Sequence, residues 1–131
     1  MISSVFPHGQ IPGSLELAFV GDSIYDLAVR RVLVMKGGKV NEQNRRAAGI
    51  VNAHAQSEAL KRIEPLLSEE ELMTVRRAKN THQSPTGHAD PVEYRNATAL
   101  EALLGYLYLT NQLERLNELI KLATGLEEAC V

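Results

Sequence analysis

Apolar residues recur at helical spacing along most of the chain, and no segment alternates with period two; this pattern predicts an all-α fold. From Ser14 to about Met35 the chain is apolar on most sides, through Leu15, Leu17, Ala18, Phe19, Val20, Ile24, Leu27, Ala28, Val32 and Leu33. A helix apolar nearly all round is expected to be buried. Gly37-Gly38 stops it. A second helix is predicted from Asn41 to about Ile63, ended by Pro65. Ser68-Glu-Glu-Glu71 is a capping box that opens a third helix through Leu72, Met73 and Val75. The polar stretch from Asn80 to Asp90 contains Pro85 and Gly87 and reads as a loop, a kind of long connection often tied to function. Asp90 at N-cap, Pro91 at N1 and Glu93 at N3 restart a helix that should reach about Thr110. Asn111-Gln-Leu-Glu114 looks like another cap. Leu113, Leu116, Leu119, Ile120 and Ala123 then form an amphipathic stripe that Gly125 closes.

A chain of 131 residues has room for one domain, 1–131, with a real core. No repeat or linker divides it. No apolar run approaches the length of a membrane span, and no secretory signal is visible at Met1 to Gln10. The single Cys130 cannot form an internal disulfide or a zinc cluster. These features suit a cytoplasmic protein.

The net charge of −2 argues against a general binder of phosphate backbones, but the charges are segregated. Residues 30–46 carry Arg30, Arg31, Lys36, Lys39, Arg45 and Arg46 against the single acid Glu42. Arg76, Arg77 and Lys79 form a second basic group. The acids gather at Glu64 to Glu71 and from Glu114 to Glu128. Segregated charge can steer a polyanion even when the sum is negative. The same charges also read as ordinary solvated helix faces.

Three acids stand inside apolar helical stretches: Asp22, Glu58 and Glu101. An ionised carboxylate taken out of water costs several kcal/mol unless it is paired or binds a metal. Three such groups on three helices could converge in a bundle core, and oxygen-only ligands suit Mg²⁺ or Mn²⁺. Plain salt bridges, with Arg30 or Lys79 as partners, are the alternative. Asp26 precedes Arg30 by four residues, so those two read as an ordinary helix-face pair. His8, His54, His82 and His88 lack metal-ligand spacing, and neither Ser23 nor Lys36-Gly-Gly-Lys39 sits in a nucleophile-elbow or P-loop frame.

Leu17-Ala-Phe-Val-Gly-Asp-Ser-Ile24 resembles the signature helix of ribonuclease III, and Thr98-Ala-Leu-Glu-Ala-Leu-Leu-Gly105 resembles the later metal-binding helix of the same family. The match covers about residues 14–123. With Tyr94-Arg95 ahead of residues 101–109, it is similar to the Mini branch of the family, in which the catalytic domain stands without a double-stranded-RNA-binding domain. The resemblance implies a helical bundle that forms a homodimer through its apolar signature helix. It also implies metal-assisted hydrolysis of double-stranded RNA, with Asp22 and Glu101 as catalytic metal ligands and Glu58 helping to hold Mg²⁺ (or Mn²⁺). Products would carry 5′-phosphate and 3′-hydroxyl ends. The physiological substrate would be a ribosomal RNA precursor, of the large subunit. Ala18 and Thr98 stand where the larger enzymes carry acids, which leaves fewer carboxylates for a second metal.

Without a separate RNA-binding domain, the backbone of the duplex must be gripped by the catalytic domain itself. Arg76, Arg77, Lys79, Asn80 and His82 are the candidates. Two competing functions remain open on the sequence. One is a non-catalytic, dimeric RNA-binding module in ribosome assembly. The other is a metal-dependent hydrolase of nucleotides, which would need a deep, closed pocket.

Overall fold

The computed structural model describes residue 6, residues 9–81 and residues 90–131. Among these, six α-helices and one 3₁₀ turn account for the regular structure, and there is no strand. They are α1 (Ser14–Lys36), α2 (Val40–Ile50), α3 (Ala53–Ile63), α4 (Glu69–Lys79), α5 (Pro91–Leu109) and α6 (Leu113–Thr124), with the 3₁₀ turn at Glu64–Leu66. The all-α reading holds.

Most helix ends follow local chemistry. Gly37 and Gly38 both take positive φ, which ends α1 where an L side chain would be strained. At α4, Ser68 Oγ accepts from Glu71 N while Glu71 Oε1 accepts from Ser68 N, completing the capping box. Asp90 Oδ1 accepts from Val92 N and Glu93 N, and Pro91 fills N1 of α5. Gly125 closes α6 in the left-handed region.

Two boundaries differ from expectation. The single helix predicted over Asn41–Ile63 is two helices, broken at Val51–Asn52. Asn52 caps both sides of the break: its Nδ2 donates to Ala48 O, and its Oδ1 accepts from Ala55 N, each at 2.8 Å. A short amide offers the backbone an alternative to continuing the helix, and here it serves two ends at once. Near α6, Asn111 is not a cap. It adopts φ 61°, and Gln112 stands at N-cap with no side-chain cap bond.

The core is organised around α5. Ala97 and every residue from Ala99 to Leu107 except Glu101 is a buried apolar or glycine position. The helix expected to be buried all round was α1, and it is not. Leu17, Ile24, Tyr25, Ala28, Val29, Val32 and Leu33 are buried, but Leu15, Phe19, Leu27, Val34 and Met35 face water, Phe19 at 81% exposure. Apolarity on most sides predicted enclosure for α1, whereas the enclosed helix is α5, which packs against α1, α3, α4 and α6. A smaller cluster of Val29, Leu33 and Ala47 joins the second half of α1 to α2. The tail returns over the bundle, with Ala129 buried and Val131 N donating to Asn117 Oδ1 at 2.9 Å.

α1 and α5 touch backbone to backbone. A methyl group on Gly21 would stand 1.7 Å from the carbonyl oxygen of Glu101, and one on Gly105 would stand 1.9 Å from that of Leu17. No Cβ fits at either point. The crossing therefore requires glycine on both helices, and it places Asp22, the next residue after Gly21, against Glu101.

Candidate active site

Asp22 projects from the exposed side of α1 immediately beyond the crossing. Glu101 projects from α5 and is half-buried beside it. Burial, then the hydrogen bond and negative charge of Asp22, push the Glu101 carboxyl from 4.5 up to about 8. At neutral pH Glu101 therefore holds its proton and donates it to Asp22. The proton stays on Glu101 because a second negative charge this close to Asp22, and out of water, is unfavourable. Asp22 is not a carboxylate taken out of water, as its apolar sequence context suggested; Glu101 is.

The third predicted acid is elsewhere. Glu58 pairs with Lys61 at 3.2 Å and lines a hollow of about 200 Å³ with Tyr25, Ala55, Arg62 and Ala123. Among the described residues, no three of His, Cys, Asp and Glu gather closely enough to hold a metal ion. The residue of α3 that does reach the pair is Gln56, whose Nε2 donates to Glu101 Oε2 at 3.3 Å. Sequence reasoning passed over it, because a glutamine among Ala, His and Ser carries no signal of burial. Tyr25 lies one turn along α1 from Asp22. It is fully buried, and its phenol is pushed up to about 12, chiefly by burial, so it stays neutral.

The predicted RNA-facing residues divide. Arg76, Arg77 and Asn80 are exposed at the end of α4. Lys79 is not free: its Nζ pairs with Glu64 at 2.9 Å, both half-buried, so its charge is already matched. His82 lies outside the described residues, as does most of the predicted loop. In the other basic stretch, Arg30 pairs with Asp26 at 3.2 Å, the ordinary helix-face pair expected of them, and Arg46 pairs with Glu42 at 2.8 Å. His54 pairs with Glu93, whose hydrogen bond raises the imidazole above its usual value. A large open hollow of about 960 Å³ on α6, lined by Glu114, Glu118 and Glu127 among others, shares no residue with the carboxylate pair. Its acidity would repel a polyanion.

Comparison with known proteins agrees with this geometry. The model of the ribonuclease III domain matches residues 15–112. The chain is 43% identical over 116 residues to a Mini-ribonuclease 3 of Thermoanaerobacter sp. (strain X514), covering 87% of this chain and 82% of that protein. It is likewise 43% identical over 116 residues to a Mini-ribonuclease 3 of Brevibacillus brevis, covering 87% of each. The crystal structure of a Fusobacterium nucleatum protein superposes with a TM-score of 0.78 at 37% identity, over 83% of this chain and 88% of that one.

Proposed function

The chain belongs to the ribonuclease III family, and on that footing we propose that it is a divalent-metal-dependent endoribonuclease that cuts double-stranded RNA. The carrying observation is the meeting of Asp22 and Glu101 where α1 and α5 touch. A carboxyl kept protonated by burial and by the charge of its neighbour forms, with that neighbour, a donor set that a divalent cation satisfies by replacing the proton. The donors are oxygen only, which suits Mg²⁺, with Mn²⁺ acceptable. Asp22 and Glu101 would hold the ion. When bound, it supplies Lewis-acid polarisation of a phosphodiester and a more acidic water. Asp22, open to solvent, suits a long substrate lying in a surface groove rather than a nucleotide in a closed pocket.

Arg76 and Arg77 are the side chains proposed to grip the phosphate backbone, with Asn80 beside them. Lys79 contributes less because Glu64 already holds it. The working unit is proposed to be a homodimer. Phe19, Leu27 and Tyr108 line an exposed apolar groove of about 300 Å³ along α1, and a second copy of this face would cover them. Each subunit would then cut one strand. The substrate is proposed to be a ribosomal RNA precursor of the large subunit.

A cleavage assay tests the reading. Purified protein is incubated with long RNA duplexes and a large-subunit ribosomal precursor, with Mg²⁺ or with EDTA, beside Asp22→Asn and Glu101→Gln. Discrete cuts that need Mg²⁺ and vanish in both variants are expected. A salt series in the same assay reads the grip: Arg76→Ala/Arg77→Ala should bind more weakly and show a shallower salt slope, by about one to two released ions. Ala18 and Thr98 are both buried small residues, and among the described residues no third acid joins Asp22 and Glu101 at the crossing. That favours one second reading, a non-catalytic dimeric RNA-binding module. Duplexes bound but left intact by the wild type would replace the nuclease with it.

A further inference from the structure

α3 reaches the carboxylate pair through an amide rather than an acid. Gln56 is only 4% exposed, and its Nε2 donates to Oε2 of Glu101 at 3.3 Å. The next residue, Ser57, is fully buried and accepts from Asn96 Nδ2 at 2.9 Å. Two successive residues of α3 are thus tied to two points on α5. The start of α3 is itself held: Gln56 N donates to Asn52 O at 2.9 Å, and Asn52 caps the helix. Gln56 therefore rests on a fixed backbone.

A glutamate side chain has three free torsions, and a ligating carboxylate must be held to within ~0.5 Å of its working position. A buried donor on Oε2 supplies that restraint and leaves Oε1 directed to other partners. A neutral amide suits the task. A lysine here would compete with a cation, and a glutamate would bring a third negative charge to Glu101. We propose that Gln56 is a positioning residue, which holds Glu101 in the orientation that ligates a divalent cation. The proposal rests on the cation-binding reading above.

Binding of Mn²⁺ to the RNA-free protein tests it, read from the paramagnetic resonance signal of the free ion. Gln56→Met keeps the volume and removes the donor. It should weaken Mn²⁺ binding about tenfold, as loss of outer hydrogen bonds to metal ligands generally does. The Mg²⁺ concentration for half-maximal cleavage should rise by the same factor. Ser57→Ala removes the neighbouring tie between α3 and α5, so it should lower the melting temperature and leave Mn²⁺ affinity unchanged. Should Gln56→Met fail to fold, Gln56→Asn, whose amide falls one methylene short, carries the same expectation. Undiminished Mn²⁺ affinity in a folded Gln56 variant overturns the positioning role alone. A wild type that binds no Mn²⁺ overturns the cation reading and this role together.

Discussion

The chemistry of single residues here turns on a carboxyl whose surroundings oppose its charge. In the folded chain Glu101 keeps its proton up to about 8, against 4.5 ordinarily. Between those values the folded state binds a proton that the unfolded state has released. Stability contributed by this group is therefore complete below 4.5 and is lost as pH rises through about 8. Calorimetry in EDTA should show wild type losing melting temperature over that window relative to Glu101→Gln. Added Mg²⁺ should raise the melting temperature more at the alkaline end, where no proton competes for the carboxylate. Parallel pH profiles for the two proteins would remove the explanation. The rule that an acid within an apolar helix must have a reason singled out Asp22 and Glu101, and the two do meet, although Asp22 faces water. Glu58 was read by the same rule and belongs to a different pair. It follows Gln56 by two residues, about 200° around the helix, so the two face opposite ways. The face of α3 turned inward depends on how it lies across α5, which no local pattern specifies. Glu71 shows the same limit. Its capping box was legible, but not its second partner, Arg115, which travels from α6 to donate Nε and Nη2 at 2.9 Å each. That contact holds the buried Glu71 carboxyl below its usual range.

Between elements, the deciding contact is the crossing of α1 and α5. Gly21 and Gly105 contribute no side chain to the site, yet both carboxyls depend on the distance they permit. Gly21→Ala must drive the helices apart, since its methyl would overlap a backbone oxygen that cannot move aside. A loss of about 3 kcal/mol, the upper end for overpacking, is expected. Cleavage should fall further than the folded fraction, because Asp22 and Glu101 separate. Denaturant unfolding and cleavage rates on the same preparation check this; a fully stable, fully active Gly21→Ala would contradict the geometry. Both glycines stand in segments whose resemblance to a nuclease family is plain, but their mutual contact appears only when the helices are placed. The break at Asn52 was a missed local signal. The apolar period runs on through Ile50 and Val51, and the double cap by one asparagine is visible only where both helix ends are known.

At the scale of the whole molecule, α1 presents an apolar strip to water that a lone globular chain has no use for. Covering Phe19 alone would contribute about 2 kcal/mol. Phe19→Asp should leave the fold intact, since that side chain is 81% exposed within its own chain, and should shift sedimentation of the proposed dimer to that of a monomer. Double-strand cutting should drop to single nicks or cease. An unchanged dimer would place the interface elsewhere. The charge pattern sits on the same scale: exposed Arg76 and Arg77 end α4, while acids line the hollow on α6. Among the described residues, no helix is long and apolar enough to cross a membrane.

Period, caps and breakers act over a few residues, so the helical class, most helix ends and the two acids with their neighbouring glycines were written in the linear order of the chain. Which apolar helix is enclosed and which keeps a face in water was not, because burial is a property of neighbours. Nor was the substitution of Gln56 for Glu58 beside Glu101, or the loss of Lys79 to Glu64. Each of these depends on the rotation of one helix against another, and that rotation is set by packing across distances the local sequence does not encode.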